Sequence, residues 1–296
     1  MVDSASASPS FAQNLRFRLE FVLVRAVAGA LTALGVERAS AFSGALWRWI
    51  APWLPRHARA EANLARSIPA LSAAQRQKIL SAMWDNLGRT FAEFFHLRRL
   101  LESDRLQLEN PETFAALAAR PGLVACAPHM GNWETLGPYA LRQGAQVAGV
   151  YRELSNPLVE KFVHDLRAPF YPAGLLPKSA LAARRLVRQA RAGGIIAFLA
   201  DQRDTRGIAS PFFGRLAPST PFPAFVARSL DLPLCAMRVL RLPNARFSLR
   251  VDEIPVPKTD DRDADVRAAT AALQAQFEAY IREAPGQWMW AHKRWG

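Results

Sequence analysis

Residues 123–134 read LVACAPHMGNWE, and the rest of the chain is organised around this stretch. Residues 123–127 form a short apolar run that lies between a Pro-Gly pair at 121–122 and a proline, which is the pattern of a buried strand. The Gly-Asn pair at 131–132 then signals a turn, after which a helix can begin. The pattern therefore predicts a strand, a tight turn and a helix, with His129 at the carboxyl end of the strand.

The spacing between His129 and Glu134 limits how the two side chains can meet. On a continuous helix, positions five apart lie about 140° around the axis. The two side chains can therefore meet only if the chain turns between them, which the Gly-Asn pair permits. Because a histidine held by a carboxylate is a general base with a fixed tautomer, we predict that His129 deprotonates a substrate hydroxyl that attacks an acyl group. In this prediction Glu134 orients the imidazole; a structural histidine is the alternative.

From residue 122 onward, short apolar runs alternate with helical patterns. The candidate strands are 122–127, 146–150, 195–200, 234–240 and 247–252. The candidate helices are 133–142, 157–167, 179–191, 220–230 and 264–283. This alternation predicts an α/β fold, which we expect to have a mixed central sheet flanked by helices.

The chain before residue 111 has a different character. Residues 1–16 begin with a Ser/Ala-rich tract and are expected to be disordered. Residues 17–110 are expected to form a helical, membrane-associating region, with one long helix at 72–98. Residues 111–296 are expected to form the α/β domain.

The apolar stretch at residues 17–36 carries Glu20 and Arg25. Its uncharged part is much shorter than the roughly 20 residues that a spanning helix needs. We therefore favour a helix that lies in the membrane interface or inserts shallowly. An ordinary core helix is the alternative, and Arg25 argues against a signal peptide.

The composition indicates an anionic partner. The chain has 38 Lys and Arg against 25 Asp and Glu, a net charge of +13, which suits a membrane surface, a phosphorylated substrate, an acidic protein or nucleic acid. Two distant cysteines give neither a disulfide framework nor a metal-ligand spacing, which suits a reducing compartment. No nucleic-acid-binding motif occurs, and tryptophans at 47, 49, 53, 288, 290 and 295 suit a membrane headgroup layer. The spacing of two also allows positions 288 and 290 to share one buried face.

Polar side chains follow two further candidate strands. Arg152 comes after the strand at 146–150, and Asp201, Gln202 and Arg203 come after the strand at 195–200. Because ligands collect at the carboxyl ends of strands in open α/β sheets, we expect these side chains to bind substrate, together with Asn132 in the turn. The arginines offer a fork of donors for a phosphate or a polarised carbonyl.

The sequence resembles a known family at these positions. HMGNWE is similar to the H-x4-D/E motif of glycerolipid-type acyltransferases, in the form found in the bacterial lipid A biosynthesis acyltransferases. Five more blocks follow the order of that family over nearly the whole chain. They are NLGRTFAEF at 86–94, YRELSNP at 151–157, ADQR at 200–203, PFFGRLAPST at 211–220 and PGQWMWAHKRW at 285–295.

The resemblance implies an O-acyltransferase whose donor is an acyl carrier protein thioester and whose acceptor is a lipid A precursor. His129 and Glu134 would be catalytic, and no cofactor or metal is expected, because a thioester is already activated. Arg184, Arg188 and Arg191 form one helical stripe, a candidate dock for an acidic carrier protein or for lipid phosphates, or a solvated face. The implied location is the cytoplasmic face of the inner membrane, on an anionic surface.

Three alternatives stay open at this point. The acceptor can be another glycolipid or a phospholipid, and the donor can be an acyl-CoA. In a different functional class, the chain can be a basic protein that binds membranes or nucleic acid without catalysis.

Overall fold

The structure is a computed structural model that describes residues 10–296. The part of the predicted disorder that falls on residues 1–9 lies outside the described residues. For 11–16 the prediction of disorder is wrong, because the first helix already begins at Phe11. Its start is fixed by Ser10, whose hydroxyl oxygen accepts a hydrogen bond from the backbone N–H of Gln13 at 3.2 Å.

Helices make up the first third of the chain and flank the sheet in the rest. The α-helices are α1 (Phe11–Leu34), α2 (Val36–Ile50), α3 (Pro55–Ser67), α4 (Ala73–Phe94), α5 (Leu97–Leu101), α6 (Pro111–Ala118), α7 (Leu136–Arg142), α8 (Pro157–Arg167), α9 (Ala180–Arg191), α10 (Phe222–Leu230) and α11 (Arg262–Glu283). Short 3₁₀ helices are Ala51–Trp53, Trp133–Thr135, Ala168–Phe170 and Pro285–Gln287. The predicted long helix at 72–98 thus divides into α4 and α5.

The central sheet is mixed, as expected. Its strands are β1 (Leu106–Leu108), β2 (Leu123–Ala127), β3 (Val147–Tyr151), β4 (Gly174–Pro177), β5 (Ile195–Leu199), β8 (Leu234–Leu242) and β9 (Arg246–Ile254), and β6 (Ile208–Phe212) pairs separately with β7 (Arg215–Ser219). The order across the seven-stranded sheet is β1-β9-β8-β2-β5-β3-β4. The five strands from β8 to β4 are mutually parallel, whereas β9 is antiparallel to β8.

The sequence patterns missed four strands. β1 and β4 are short and lie at the two edges of the sheet, so they lack the apolar runs of buried strands. β6 and β7 contain Pro211 and Pro218, and proline in an apolar run argues against a strand unless it lies at an edge. Both strands are edges here, because they pair only with each other.

The helical region and the sheet share one core. Leu80, Met83 and Trp84 of α4 belong to the same buried cluster as Val124 of β2 and Ile196 of β5. Strand β1 also joins the sheet through β9 before residue 111. The N-terminal helices therefore pack as a layer of the α/β fold, and the tryptophans near the C-terminus fill part of this core.

Two outward helix faces are apolar. The face of α1 exposes large apolar side chains at helical spacing, namely Phe11, Leu15, Leu19, Val22 and Leu23. The face of α2 and the following 3₁₀ helix exposes Phe42, Leu46, Trp49 and Trp53. Within residues 10–296, no helix is both long enough and apolar enough to cross a bilayer.

Candidate active site

The register of two strands brings His129 and Asp201 together. β2 and β5 are parallel neighbours in which Ala127 lies opposite Leu199. His129 and Asp201 each follow two residues later, so both emerge at the same edge of the sheet. His129 Nδ1 lies 2.7 Å from Asp201 Oδ1, and the backbone N–H of His129 donates to Oδ2 of the same carboxylate at 2.9 Å.

Asp201 is a buried and fully engaged carboxylate. Its side chain is 2% exposed, and besides the two bonds from His129 it accepts one from Trp288 Nε1 at 2.7 Å. Burial by itself raises the pKa of Asp201, but the charge interaction with His129 and the hydrogen bonds from His129 and Trp288 outweigh it and lower the pKa to about 2. The carboxylate is therefore ionised at neutral pH.

The hydrogen-bond network assigns the tautomer of His129. An ionised carboxylate only accepts hydrogen bonds, so the proton of the neutral imidazole lies on Nδ1 and donates to Asp201. Nε2 then carries the lone pair, and the side-chain amide of Gln202 donates to it at 3.2 Å. The imidazole is 15% exposed and lies edge-on to Trp133. Nε2 is thus the atom that can take a proton from a substrate.

Glu134 does not contact His129, so the geometry predicted for this pair is wrong. The guanidinium of Arg167, at the end of α8, donates from Nε to Glu134 Oε2 at 2.9 Å and from Nη2 to Oε1 at 2.6 Å. Trp133 Nε1 also donates to Glu134. The chain does turn between His129 and Glu134, but Asp201 already occupies Nδ1, and the turn directs Glu134 toward α8.

The turn between them is tightly enclosed. Gly131 has a φ of +58°, and a Cβ added there would lie 2.0 Å from the carbonyl oxygen of Val239, so only glycine fits. Asn132 is fully buried. Its Nδ2 donates to Glu93 at 2.8 Å and its Oδ1 accepts from the backbone N–H of Glu134 at 3.2 Å. Asn132 therefore stabilises the turn through its two side-chain hydrogen bonds, whereas we expected it to bind substrate.

Arg152 and Arg203 lie at the same edge of the sheet as His129. Arg152 directly follows β3 and Arg203 lies in the loop after β5. Both are exposed, and neither has an ion-pair partner among residues 10–296. Both guanidinium groups are thus available to an anionic ligand, whereas Asp201, which was expected beside them, binds His129.

Sequence reasoning missed two contributors to this site. Arg167 is a basic residue in the last turn of a helix, which is a common position for basic residues and gives no functional signal. Trp288 was considered for a headgroup layer or a buried face; it is buried with Trp290, edge-to-face at 4.7 Å. Its indole N–H reaches Asp201 because Met130 and Trp288 form a backbone bridge.

The site combines a base, His129, with a carboxylate that orients it, Asp201, and with the guanidinium groups of Arg152 and Arg203, which are unpaired within residues 10–296. No group of three or more His, Cys, Asp or Glu side chains in the described part of the chain is placed to hold a metal ion. A neutral imidazole whose Nε2 carries the lone pair can deprotonate a hydroxyl that replaces Gln202 there, and the buried carboxylate stabilises the imidazolium that results.

Comparison with known proteins gives a consistent assignment. Residues 8–296 match the family model described as bacterial lipid A biosynthesis acyltransferase. The phosphatidylinositol mannoside acyltransferases of two Mycobacterium tuberculosis strains, H37Rv and CDC 1551, are each 28% identical over 247 residues, which covers 79% of this chain and 75% of the relative. The match to the family model spans nearly the whole sequence, including every residue of the site. The chain therefore belongs to the bacterial lipid A biosynthesis acyltransferase family, and it is an O-acyltransferase.

Proposed function

We propose that the enzyme transfers an acyl chain from an acyl carrier protein thioester to a hydroxyl of a lipid A precursor. The observation that carries the mechanism is the pair formed by His129 and Asp201, with Nε2 of His129 free of its own proton. This pair supplies a base at the edge of the sheet where ligands bind in α/β folds. The family match supports the acceptor.

In the proposed reaction, Nε2 of His129 removes the proton from the acceptor hydroxyl as its oxygen attacks the thioester carbonyl. The carbon–oxygen bond forms and the carbonyl becomes a tetrahedral oxyanion. When that intermediate collapses, the carbon–sulfur bond breaks and the thiolate takes the proton from the imidazolium. Asp201 keeps the proton-bearing Nδ1 in place and offsets the transient positive charge.

Gln202 changes partners during this cycle. Its amide N–H faces the lone pair of Nε2 in the resting enzyme, and the incoming hydroxyl replaces it there. The released amide N–H lies next to the reacting carbonyl, where it can donate to the oxyanion.

Arg152 and Arg203 bind phosphate groups of the acceptor in this proposal. They are exposed, they follow neighbouring strands β3 and β5, and no protein carboxylate neutralises them among the described residues. Guanidinium groups suit phosphate because they donate two parallel hydrogen bonds. The excess of positive charge over the chain thus serves lipid phosphates, in place of the nucleic acid that charge alone allows.

The donor is the acyl carrier protein thioester. Support comes from α9, where Arg184, Arg188 and Arg191 are all exposed and lie on one helical face. A carrier protein is acidic, so this stripe favours its approach. An acyl-CoA is the competing donor.

The enzyme works at the cytoplasmic face of the inner membrane. The apolar faces of α1 and α2 support this, because large side chains exposed on one face mark contact with lipid or with another protein. Exposed arginines beside these faces, such as Arg18, Arg38 and Arg56, suit anionic headgroups.

A second acceptor class has its own support. The mycobacterial relatives are named as phosphatidylinositol mannoside acyltransferases, so a mannosylated phospholipid is the alternative glycolipid. Both acceptors offer a hydroxyl, on a hydroxyacyl chain of the lipid A precursor or on a sugar of the mannoside, and at least one phosphate group. The same base and the same two arginines would serve either acceptor.

One assay tests donor and acceptor together. Purified protein in detergent is incubated with either acyl carrier protein thioesters or acyl-CoAs, and with either a tetra-acylated lipid A precursor or a phosphatidylinositol mannoside. Mass spectrometry then measures the acyl groups that each lipid has gained. We expect the lipid A precursor to gain one acyl group, and we expect His129→Ala to abolish the gain. Acylation of the mannoside alone would overturn the acceptor, activity only with acyl-CoA would overturn the donor, and full activity of His129→Ala would overturn the mechanism.

A further inference from the structure

We propose that Glu93 of α4 is a positioning residue for acyl transfer, which acts through Asn132 on the turn that carries His129. The inference rests on the proposed role of His129 as the base. It assigns a function to a carboxylate that lies outside the H-x4-E motif and contacts neither His129 nor open solvent.

Glu93 is fully buried, and its carboxylate accepts hydrogen bonds from three side chains. Its side chain is 0% exposed. Oε2 accepts from Asn132 Nδ2 at 2.8 Å, whereas Oε1 accepts from the hydroxyl of Ser40 at 2.7 Å and from Arg241 Nη1. A buried carboxylate is tolerated only when it is paired and hydrogen-bonded, and Arg241 of β8 provides the opposite charge.

The Glu93–Arg241 ion pair also supports the hydrogen bonds that fix Gly131. Arg241 donates from Nε to Asn86 Oδ1 at 2.8 Å and from Nη2 to the hydroxyl oxygen of Thr90 at 2.9 Å. Asn86 and Thr90 in turn donate to the carbonyl oxygen of Gly131, at 2.9 Å and 3.0 Å. Positions 86, 90 and 93 share one face of α4. Hydrogen bonds to the Gly131 carbonyl oxygen and to the Asn132 side chain therefore fix the turn. Both sets of hydrogen bonds depend on the Glu93–Arg241 pair.

The charge of Glu93 decides which way the amide of Asn132 faces. A carboxylate only accepts hydrogen bonds, so the NH₂ group of Asn132 must face it. The amide oxygen then faces the backbone N–H of Glu134, which it caps at 3.2 Å. With the opposite orientation, two oxygens would face each other at Glu93 and two N–H groups at Glu134. Glu93 thus sets the start of the 3₁₀ helix Trp133–Thr135, which begins four residues after His129.

A small displacement of this turn changes the position of the base. Misplacing a reacting group by about 1 Å can cost on the order of 100-fold in rate. Substrate binding depends on other residues, since Arg152 and Arg203 lie on different loops. Loss of Glu93 is therefore expected to lower kcat while KM stays nearly constant.

The first test compares two buried carboxylates. Glu93→Gln keeps the size of the side chain and removes its charge. Asp265→Asn is the matched control. Asp265, in the first turn of α11, is similarly buried in an ion pair at 2.7 Å with Arg228 of α10, and this pair includes no residue of the His129 turn. We expect kcat to fall about 10- to 100-fold in Glu93→Gln and to stay within about twofold of wild type in Asp265→Asn, with both melting temperatures lowered.

The second test asks whether Glu93 acts through Asn132. In a double-mutant cycle, the loss of kcat in Glu93→Gln/Asn132→Ala should be clearly smaller than the product of the two single losses, because the Glu93–Asn132 contact is already lost in each single variant. If Glu93→Gln does not fold, Thr90→Val takes its place. It removes the hydrogen bond from the Thr90 hydroxyl to the Gly131 carbonyl oxygen, and we expect a severalfold drop in kcat.

Three outcomes overturn the inference. The first is wild-type kcat in the folded Glu93→Gln protein or, where that variant does not fold, in Thr90→Val. The second is additive losses of kcat in the double-mutant cycle. The third is a loss of kcat in Asp265→Asn equal to that in Glu93→Gln. Failure of the proposed function gives a different result, namely transfer by His129→Ala, so the two failures can be told apart.

Discussion

Asp201 holds the imidazole of His129 from a position 72 residues further along the chain, with 2.7 Å between Oδ1 and Nδ1. Glu134, five residues after His129, pairs with Arg167. The local motif therefore supplies the base, and a neighbouring strand supplies the carboxylate that fixes its tautomer.

The first prediction concerns the carboxylate of Asp201. In Asp201→Asn the amide can donate to Nδ1, which favours the tautomer with the proton on Nε2 and removes the lone pair that accepts the substrate proton. We expect kcat to fall on the order of 10²- to 10⁴-fold with the fold retained. Steady-state transfer rates and melting temperatures measure this, with Asp265→Asn as a control for a buried aspartate elsewhere. Near-wild-type kcat in Asp201→Asn would contradict the assignment.

The second prediction concerns the partner of Glu134. Stability double-mutant cycles are expected to give a coupling of about 1–3 kcal/mol between Glu134 and Arg167, because the two make two direct hydrogen bonds. Glu134 and His129 share only the neighbour Trp133, so their coupling should be clearly smaller than that of the Glu134–Arg167 pair. Urea unfolding of the single variants Glu134→Gln, Arg167→Met and His129→Ala and of the doubles measures both values. A larger coupling for the His129 cycle would restore the partnership that the motif suggests.

The third prediction concerns stability in acid. The folded-state pKa of Asp201 is about 2, which lies below the value of about 3.9 for an unfolded chain. A lowered carboxyl pKa adds stability that is fully present above the unfolded pKa and is lost as the pH falls through the folded one. Between about pH 4 and about pH 2 the wild type should therefore lose about 2 kcal/mol that Asp201→Asn does not lose.

Unfolding free energies at several pH values test this directly. The difference between wild type and Asp201→Asn should be constant near neutral pH and should shrink below about pH 4. A difference that stays constant down to about pH 2 would show that the pKa of Asp201 is not lowered in the folded protein.

Much of this site follows from the sequence once strand order is known. The apolar run at 123–127 and the following turn predicted the place of His129, and the run at 195–200 predicted that of Asp201. What the sequence lacks is the order of the strands: β3 and β4 come between β2 and β5 in the chain but lie outside them in the sheet. With adjacency unknown, the nearest carboxylate in sequence, Glu134, looked like the partner of His129.

Other features depended on tertiary contacts that leave no local pattern. Arg167 resembles any basic residue at the end of a helix, and Glu93 resembles a polar position on an amphipathic helix. The tryptophans show the same limit. Trp288 and Trp290 are buried in the core, whereas Trp49 and Trp53 are exposed, although the local sequences around them are equally rich in aromatic and basic residues.

The fourth prediction concerns the turn glycine. Gly131→Ala must place a methyl group 2.0 Å from the carbonyl oxygen of Val239 at a positive φ, so the turn has to move and transfer activity should be lost. Gly144→Ala is the matched control, with a similar φ of +74° and nothing within 4 Å of the added Cβ. It should cost only about 1–2 kcal/mol of backbone strain and retain kcat. Equal effects of the two substitutions on kcat would show that the close approach to Val239 does not matter.

The fifth prediction concerns the exposed tryptophans of the α2 face. Trp49 and Trp53 are 73% and 85% exposed and lie on the same face as Phe42 and Leu46. Burying one large apolar side chain is worth about 1.5–3 kcal/mol, so the Trp49→Ser/Trp53→Ser variant should bind vesicles at least about tenfold more weakly. Vesicles that contain anionic phospholipid, sedimented at two salt concentrations, give the binding constants.

Leu216→Ser is the control for this last experiment, because Leu216 is 67% exposed and belongs to the β6–β7 hairpin, not to either apolar helix face. Its vesicle binding should equal that of wild type. If the two tryptophans insert into the headgroup layer, they bring the helical layer that shares its core with β2 and β5 to the membrane surface. Acyl transfer to an acceptor embedded in vesicles should then fall in the double variant, while transfer to an acceptor dispersed in detergent should not. A loss of transfer in both assays would indicate damage to the site, because the Ser40 and Glu93 contact links α2 to the His129 turn.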